Sequence, residues 1–234
     1  MNIEAWINAF RLRTLPLSLS SVVLGSLLAM WQGSFHLEIL LGALTTTLFL
    51  QILSNLANDY GDFQNGVDNS KRVGPVRALQ SGEINPKSMK WAIAIFALLA
   101  LASGVWLLYE ASKVVDAIKL LTFLLIGLLA IAAAIKYTVG KNPYGYRGMG
   151  DVAVFVFFGL AGVGGTYYLH TNEISWVEIL PAVSIGLLAT GVLNLNNLRD
   201  EENDRLSGKN SLVVILGRSK AKLYHVCLIS IAIA

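Results

Sequence analysis

Apolar residues fall into long blocks along this chain, and the polar positions gather between them. Six blocks, residues 15–31, 37–55, 89–109, 117–137, 152–170 and 176–197, carry almost no charge. Each comes close to the roughly 20 residues that a helix needs to cross the hydrocarbon core of a bilayer. A seventh block opens near Tyr224 and reaches Ala234, the last residue of the sequence, so the pattern predicts a crossing helix cut short, in a protein that continues with further spans. No stretch is left over for a separate soluble domain. The expected fold is therefore all-α, a polytopic transmembrane helical bundle forming one domain over residues 1–234. Residues 1–13 stand apart, because Trp6, Phe10, Arg11 and Arg13 recur at amphipathic spacing. That pattern predicts a helix lying in the membrane interface. The segment is expected to be such a helix and not a signal peptide, since no basic region directly follows Met1 and no small-residue cleavage site comes after it.

Composition agrees with the blocks. The 234 residues are 55% apolar and only 14% charged, against roughly a quarter charged in soluble domains, and mean hydropathy is +0.60. The single cysteine, Cys227, lies in an apolar run, which rules out an internal disulfide or a multi-thiolate metal site. The basic residues are sorted by connection. Arg11 and Arg13 precede the first block, Lys71, Arg72, Arg77, Lys87 and Lys90 separate the second from the third, and Lys136, Lys141 and Arg147 follow the fourth. Six more, from Arg199 to Lys222, follow the sixth. The alternate connections, 32–36, 110–116 and 171–175, hold only Lys113, with Lys119 just inside the next block. Because cytoplasmic loops carry the excess of Lys and Arg, the long polar loops are expected on the cytoplasmic side. The net charge of +3 reflects this topology. No basic stripe with interleaved aromatics points to nucleic acid, and nothing in the sequence calls for an obligate protein partner.

Two of these polar connections carry chemistry. The first follows the second block as LSNLANDYGDFQNGVDNSKR, with three aspartates and four asparagines. On a helix, Asn58 and Asp62 share a face, and Asn55 and Asp59 form a parallel row beside it. Asp68 comes after Asn65-Gly66, a turn signal that could fold it back to the same patch. The second is LNLNNLRDEENDRLSGKNS, in which Asn196, Asp200 and Asp204 fall four apart on one face, with Asn197 adjacent. Asn and Asp also cap ordinary helix ends. However, carboxylates at a helix C-terminus oppose the macrodipole, and two clusters with matching spacing on one side of the membrane argue for a cation. Hard oxygen donors of this kind suit Mg2+, which takes one or two carboxylates, waters and substrate phosphates. The repeated design also fits a diverged internal duplication.

A third connection, KYTVGKNPYGYRGMGDV over residues 136–152, has glycines at 140, 145, 148 and 150, the cations Lys141 and Arg147, and the rings of Tyr137, Tyr144 and Tyr146. Such a loop can cradle a phosphate through backbone N–H groups and charge-assisted bonds, or it can anchor the chain at the interface through its aromatics. The aspartate clusters favour the phosphate, because a metal-bound diphosphate needs cations on its far side. Two Mg2+ ligand sets, nearby cations and apolar helices below describe a site for a diphosphate with a hydrocarbon tail. A polyprenyl diphosphate meets that description; no nucleotide-binding motif competes. A transporter is the rival reading, but it expects ionisable residues near the bilayer midplane, whereas nearly every acid lies at a block end. A prenyl-lipid binding protein without activity would not need two complete metal clusters. His36, His170 and His225 read as interfacial or packing residues.

The stretches NDYGDFQNGVD, YTVGKNPYGYRGMGD and NNLRDEENDRLSGKNSLVVILG, with the early RLRTLPLS, resemble the UbiA superfamily of intramembrane prenyltransferases. Within it they are most similar to the branch that prenylates 1,4-dihydroxy-2-naphthoate. The resemblance runs from Arg11 to about Gly217. It implies a bundle of nine spans around a central cavity, six and part of a seventh lying in this chain. It also implies Mg2+-dependent transfer of a polyprenyl group to the naphthoate ring with loss of carbon dioxide, giving demethylmenaquinol, in a bacterial inner membrane. Superfamily members using 4-hydroxybenzoate or haem as acceptor are the alternative. Carried over by position, the first motif gives Asn58, Asp59 and Asp62 as metal-binding residues, with Asp68 standing two residues later than the superfamily spacing. The second gives Asp200 and Asp204, beside Asn196. Asp59, Asp62, Asp200 and Asp204 are thereby implied as catalytic. Lys141, Arg147 and Lys209 are expected at the diphosphate, and Arg13 and Tyr137 at the acceptor.

Overall fold

The computed structural model describes residues 2–69 and 74–234; Lys71 and Arg72, counted above in the charge balance, lie outside the described residues. A short helix, α1 (Ile3–Phe10), is capped by the Asn2 side chain and leads through a 3-10 turn, Leu12–Thr14, into α2 (Leu15–Trp31). The following helices are α3 (Leu37–Gln64), α4 (Pro86–Ala111) and α5 (Ala117–Lys136). Next come α6 (Gly150–Val154), a π-helical segment (Phe155–Gly165) and α7 (Thr166–Thr171), which run on as one rod. The chain closes with α8 (Trp176–Leu206), α9 (Leu212–Leu216) and α10 (Arg218–Ile233). Among the described residues six helical stretches are long and apolar enough to cross a membrane, α1 and α2 counting together as one. The last helix begins at Arg218 rather than near Tyr224, and α3 and α8 outrun their apolar blocks by two turns or more, to Gln64 and Leu206. Those extensions carry the acidic clusters.

Side chains explain the arrangement. Many leucines on α2–α5, Leu27, Leu41, Leu98 and Leu129 among them, face outward, as a lipid solvent permits, while small and polar residues join Leu53 and Leu56 in the contacts between helices. The π segment crosses α8 where both are thinnest. A Cβ on Gly159 would lie 2.5 Å from the Ala182 carbonyl oxygen, and one on Gly186 would lie 2.8 Å from the Phe155 ring. Near the start of α8, Pro181 cannot donate to the preceding turn, and the Ser175 hydroxyl instead closes that end by donating to Glu178 at 2.7 Å. All the long connections lie at one end of the bundle, the polar end, where α3, α5 and α8 finish and α2, α4, α6 and α10 begin. At the opposite end the buried His170 holds the bundle together, its Nε2 3.0 Å from Ser26 Oγ on α2 and its Nδ1 accepting the His36 N–H at 3.2 Å. This is the packing role expected of it.

Candidate active site

One large cavity of about 1260 Å³ runs down the middle of the bundle. At the polar end it is bordered by Asn58, Asp62, Asn196, Asp200 and Asp204 together with Arg11, Arg13, Arg77 and Lys209. Further in, its walls are Leu17, Ala43, Phe157, Leu160, Ala182 and Val192 among other apolar residues. Along α8 the lining continues from Asp204 back to Glu178, about 39 Å at 1.5 Å per residue, more than the thickness of the hydrocarbon core.

Helical spacing sorts the polar residues. Asn58 and Asp62 face the cavity from α3, as Asn196, Asp200 and Asp204 do from α8. Asp59, one position further round α3, is buried behind this face, in ion pairs with Arg11 and Arg77, the latter at 3.4 Å. Asp62 is held by partners distant in sequence. It accepts from the Tyr146 hydroxyl at 2.7 Å and pairs with Lys209 at 3.3 Å, and the same ammonium lies 3.9 Å from Asp204. Lys209 therefore joins the two clusters. Burial alone would lower its ammonium pKa, but the carboxylates of Asp62 and Asp204 outweigh that and hold it above its ordinary value. Burial, and then the Asp62 charge, raise the Tyr146 phenol, and burial pushes the Tyr137 phenol up to about 12. Both tyrosines stay neutral donors at physiological pH.

The turn at Asn65-Gly66 does fold the chain back. Gly66 takes φ +72°, a value open to glycine at no steric cost, and the N–H groups of Val67 and Asp68 both donate to the Asp62 carbonyl, at 2.9 and 3.3 Å. Asp68 is buried beneath that turn and does not border the cavity. On the α5–α6 connection, Tyr137 borders the cavity and Tyr146 points to Asp62, whereas Lys141 and Arg147 are exposed and lie off the cavity wall. Arg147 is instead bridged through its backbone to Asn210. The cations that do reach the cavity with Lys209 and Arg13 include Arg11 and Arg77, neither of which the sequence reading placed at the site. Their only trace was the wording RLRTLPLS and GPVRALQSGEI. Asn203, also missed, borders the cavity and donates to the Val67 carbonyl at 2.9 Å.

The donors fit a divalent metal of the Mg2+ kind. Among the described residues the side-chain oxygens of Asn58 and Asn203 are buried without a hydrogen-bond partner, an expense that a ligand would offset. Both residues border the same space as Asp62, Asp200 and Asp204. Among the described residues no three His, Cys, Asp or Glu side chains converge closely enough to cage an ion unaided. That is what Mg2+ asks for, since it keeps waters and takes substrate phosphate oxygens to complete its shell.

Residues 18–234 match the UbiA prenyltransferase family. The 1,4-dihydroxy-2-naphthoate octaprenyltransferases of Haemophilus influenzae and Escherichia coli are each 48% identical to this chain, covering 98% and 97% of it and 75% and 73% of their own lengths. The octaprenyltransferase of the same name from Mycobacterium tuberculosis is 38% identical over 97% of this chain and 75% of its own. Among solved structures, a UbiA homologue from Aeropyrum pernix superposes with a TM-score of 0.68, covering 95% of this chain and 76% of its own. One from Archaeoglobus fulgidus, bound to DMAPP and Mg2+, superposes at 0.65, over 94% and 74%. Both are 20% identical and share the fold. This chain is a multi-pass, all-helical membrane protein that belongs to the UbiA prenyltransferase family.

Proposed function

We propose that this protein transfers a polyprenyl group from polyprenyl diphosphate to 1,4-dihydroxy-2-naphthoate, with decarboxylation to demethylmenaquinol, as a step of menaquinone synthesis. The observation that carries this reading is the two-part cavity, with oxygen donors and cations at one end and apolar walls below, in a chain 48% identical to enzymes named for that acceptor. The polar end faces the cytoplasm of a bacterial inner membrane, following the distribution of lysine and arginine.

Asn58, Asp62, Asn196, Asp200 and Asp204 would hold Mg2+, with Asn203 beside them. Bound there, the metal would neutralise the diphosphate and stabilise the charge that grows on it as the carbon–oxygen bond breaks. Lys209, between the two acidic clusters, and Arg11 and Arg77 beside them hold the diphosphate oxygens through charge-assisted bonds. Tyr146 fixes the rotamer of Asp62. The apolar walls keep water from the allylic carbon, which would otherwise be hydrolysed. Arg13 lies where it can hold the naphthoate carboxylate, with the Tyr137 ring beside the acceptor. The electron pair of the carbon–oxygen bond leaves with the diphosphate, the ring carbon bearing the carboxylate forms the new carbon–carbon bond, and loss of carbon dioxide restores the aromatic ring. The protein supplies position and charge, and the ring supplies the nucleophile.

The test is Mg2+-dependent release of pyrophosphate by the purified protein with 1,4-dihydroxy-2-naphthoate, 4-hydroxybenzoate or haem as acceptor. The naphthoate alone should support turnover. Equal turnover with either of the others would overturn the acceptor assignment.

A further inference from the structure

The two rows of polar residues on α3 have different tasks. Asn58 and Asp62 border the cavity, as Asn55 does at its edge, while Asp59 does not; Asn55 and Asp59, both nearly fully buried, turn towards the N-terminal segment. The Asn55 amide donates to the Phe10 carbonyl at 2.9 Å and to Thr14 Oγ1 at 3.1 Å, on either side of Arg11. One turn on, the Asp59 carboxylate takes Arg11 Nη2 and, at 3.4 Å, Arg77 Nε. The row thus grips both the backbone and the side chain of the turn between α1 and α2. That turn needs gripping. Arg11 has φ 51° and ψ 55°, a left-handed conformation that a residue other than glycine keeps only where its surroundings over-determine it. The two arginines come from opposite flanks, Arg11 ahead of α2 and Arg77 on the connection after α3, and both border the cavity. A guanidinium has five N–H donors, and at Arg11 one of them, Nε, is buried without a hydrogen-bond partner among the described residues.

We propose that Asp59 is a positioning residue and not a metal ligand. Together with Asn55 it pins the 10–14 turn and the Arg77 connection, so that two guanidiniums meet the diphosphate at the polar end of the cavity. This rests on the reading above that the cavity takes a diphosphate. Removing the Asp59 charge releases both arginines, and the loss falls on diphosphate affinity and leaves metal affinity alone.

Binding to the purified full chain separates the roles, with inorganic pyrophosphate titrated calorimetrically at saturating Mg2+ and Mn2+ titrated by electron paramagnetic resonance at saturating pyrophosphate. Asp59→Asn should weaken pyrophosphate about tenfold, the scale of one charged hydrogen bond, with half-saturating Mn2+ moved less than about twofold. Asp62→Asn should do the reverse and raise the Mn2+ requirement. Arg77→Gln lies outside the membrane-spanning helices and does not depend on the folding of the Asp59 variant; it should reproduce the loss of pyrophosphate affinity. Combining it with Asp59→Asn should cost less than the two single losses added, because coupled residues are not independent. The proposal is overturned if Asp59→Asn raises the Mn2+ requirement as much as Asp62→Asn, if its pyrophosphate affinity stays at the wild-type level, or if the two losses add. Wild-type protein that binds pyrophosphate but does not prenylate the naphthoate would sink the acceptor assignment and leave this proposal standing.

Discussion

The polar ends of α3 and α8 look alike as sequence, an asparagine followed at four residues by an aspartate, yet they spend their acidic residues differently. The end of α3 is held by partners far along the chain: Arg11 lies 48 residues before Asp59, and Lys209 lies 147 residues after Asp62. The end of α8 draws on distant partners too, the Asn203 amide reaching the Val67 carbonyl, and adds pairs within its own helix. Arg199 pairs with Asp200 at 2.7 Å and Arg205 with Glu201 one turn away at 2.5 Å. At α3 the consecutive Asn58 and Asp59 divide the acidic residues between two helix faces, one towards the cavity and one towards the N-terminal segment. At α8 the i, i+4 series of Asn196, Asp200 and Asp204 keeps to one face. The first motif therefore gives one of its acids, Asp59, to assembly and another, Asp62, to the cavity, whereas the second keeps Asp200 and Asp204 on the cavity face.

The two ends should match in chemistry and differ in stability. The largest effect is on turnover, where Asp62→Ala and Asp200→Ala should each lower kcat by about 10²–10³-fold, the scale for losing one electrostatic stabiliser of a transition state; steady-state pyrophosphate release reads this directly. Unfolding should then distinguish them. Asp62→Ala takes the nearer carboxylate from the buried Lys209 ammonium and should cost about 3–5 kcal/mol, while Asp200→Ala, at a carboxylate paired with an arginine that is 40% exposed, should cost less. Denaturation of detergent-solubilised protein measures both.

Packing repeats the contrast at smaller scale. A Cβ on Gly61 would lie 2.5 Å from the Thr138 backbone, since α3 is wedged against the chain leaving α5 there. Gly61→Ala should destabilise by about 1–3 kcal/mol. The same change at Gly127, where no atom lies within 4 Å, should stabilise by about 0.5–1 kcal/mol through helix propensity. The smallest effect is the pH dependence of the Lys209 link. Its folded pKa is raised above the ordinary 10.5, so its stabilisation is complete below that value and disappears as pH rises through the folded one. The gap in melting temperature between wild type and Lys209→Met should hold constant from neutral pH to about 10 and narrow beyond it.

Much of this was legible in the sequence because a lipid solvent writes plainly. Apolar blocks marked the six spans, and four-residue spacing put Asn58 with Asp62 and Asn196 with Asp200 and Asp204 on faces that the bundle turns to one cavity. Three things were not legible. The π geometry of Phe155–Gly165 leaves the apolar pattern of the block unchanged, so nothing in the 152–170 run distinguished it from an α-helix. The direction of a glycine-rich loop is set by tertiary bonds, and those of Tyr146 to Asp62 and Asn210 to Tyr146 turn the rings inward and leave Lys141 and Arg147 outside. Spacing also could not tell that Asp59 faces arginines from two distant segments, because the left-handed turn at Arg11 has no glycine to announce it.

The central claim is that one cavity activates a prenyl diphosphate at its polar end and hands the prenyl group to a naphthoate. Its most direct test is pyrophosphate release by the purified protein supplied with polyprenyl diphosphate, with and without Mg2+ and with and without 1,4-dihydroxy-2-naphthoate. Release should require both, with prenylated, decarboxylated product formed in equal amount. Release that continues in EDTA, or that ignores the naphthoate, would contradict the account.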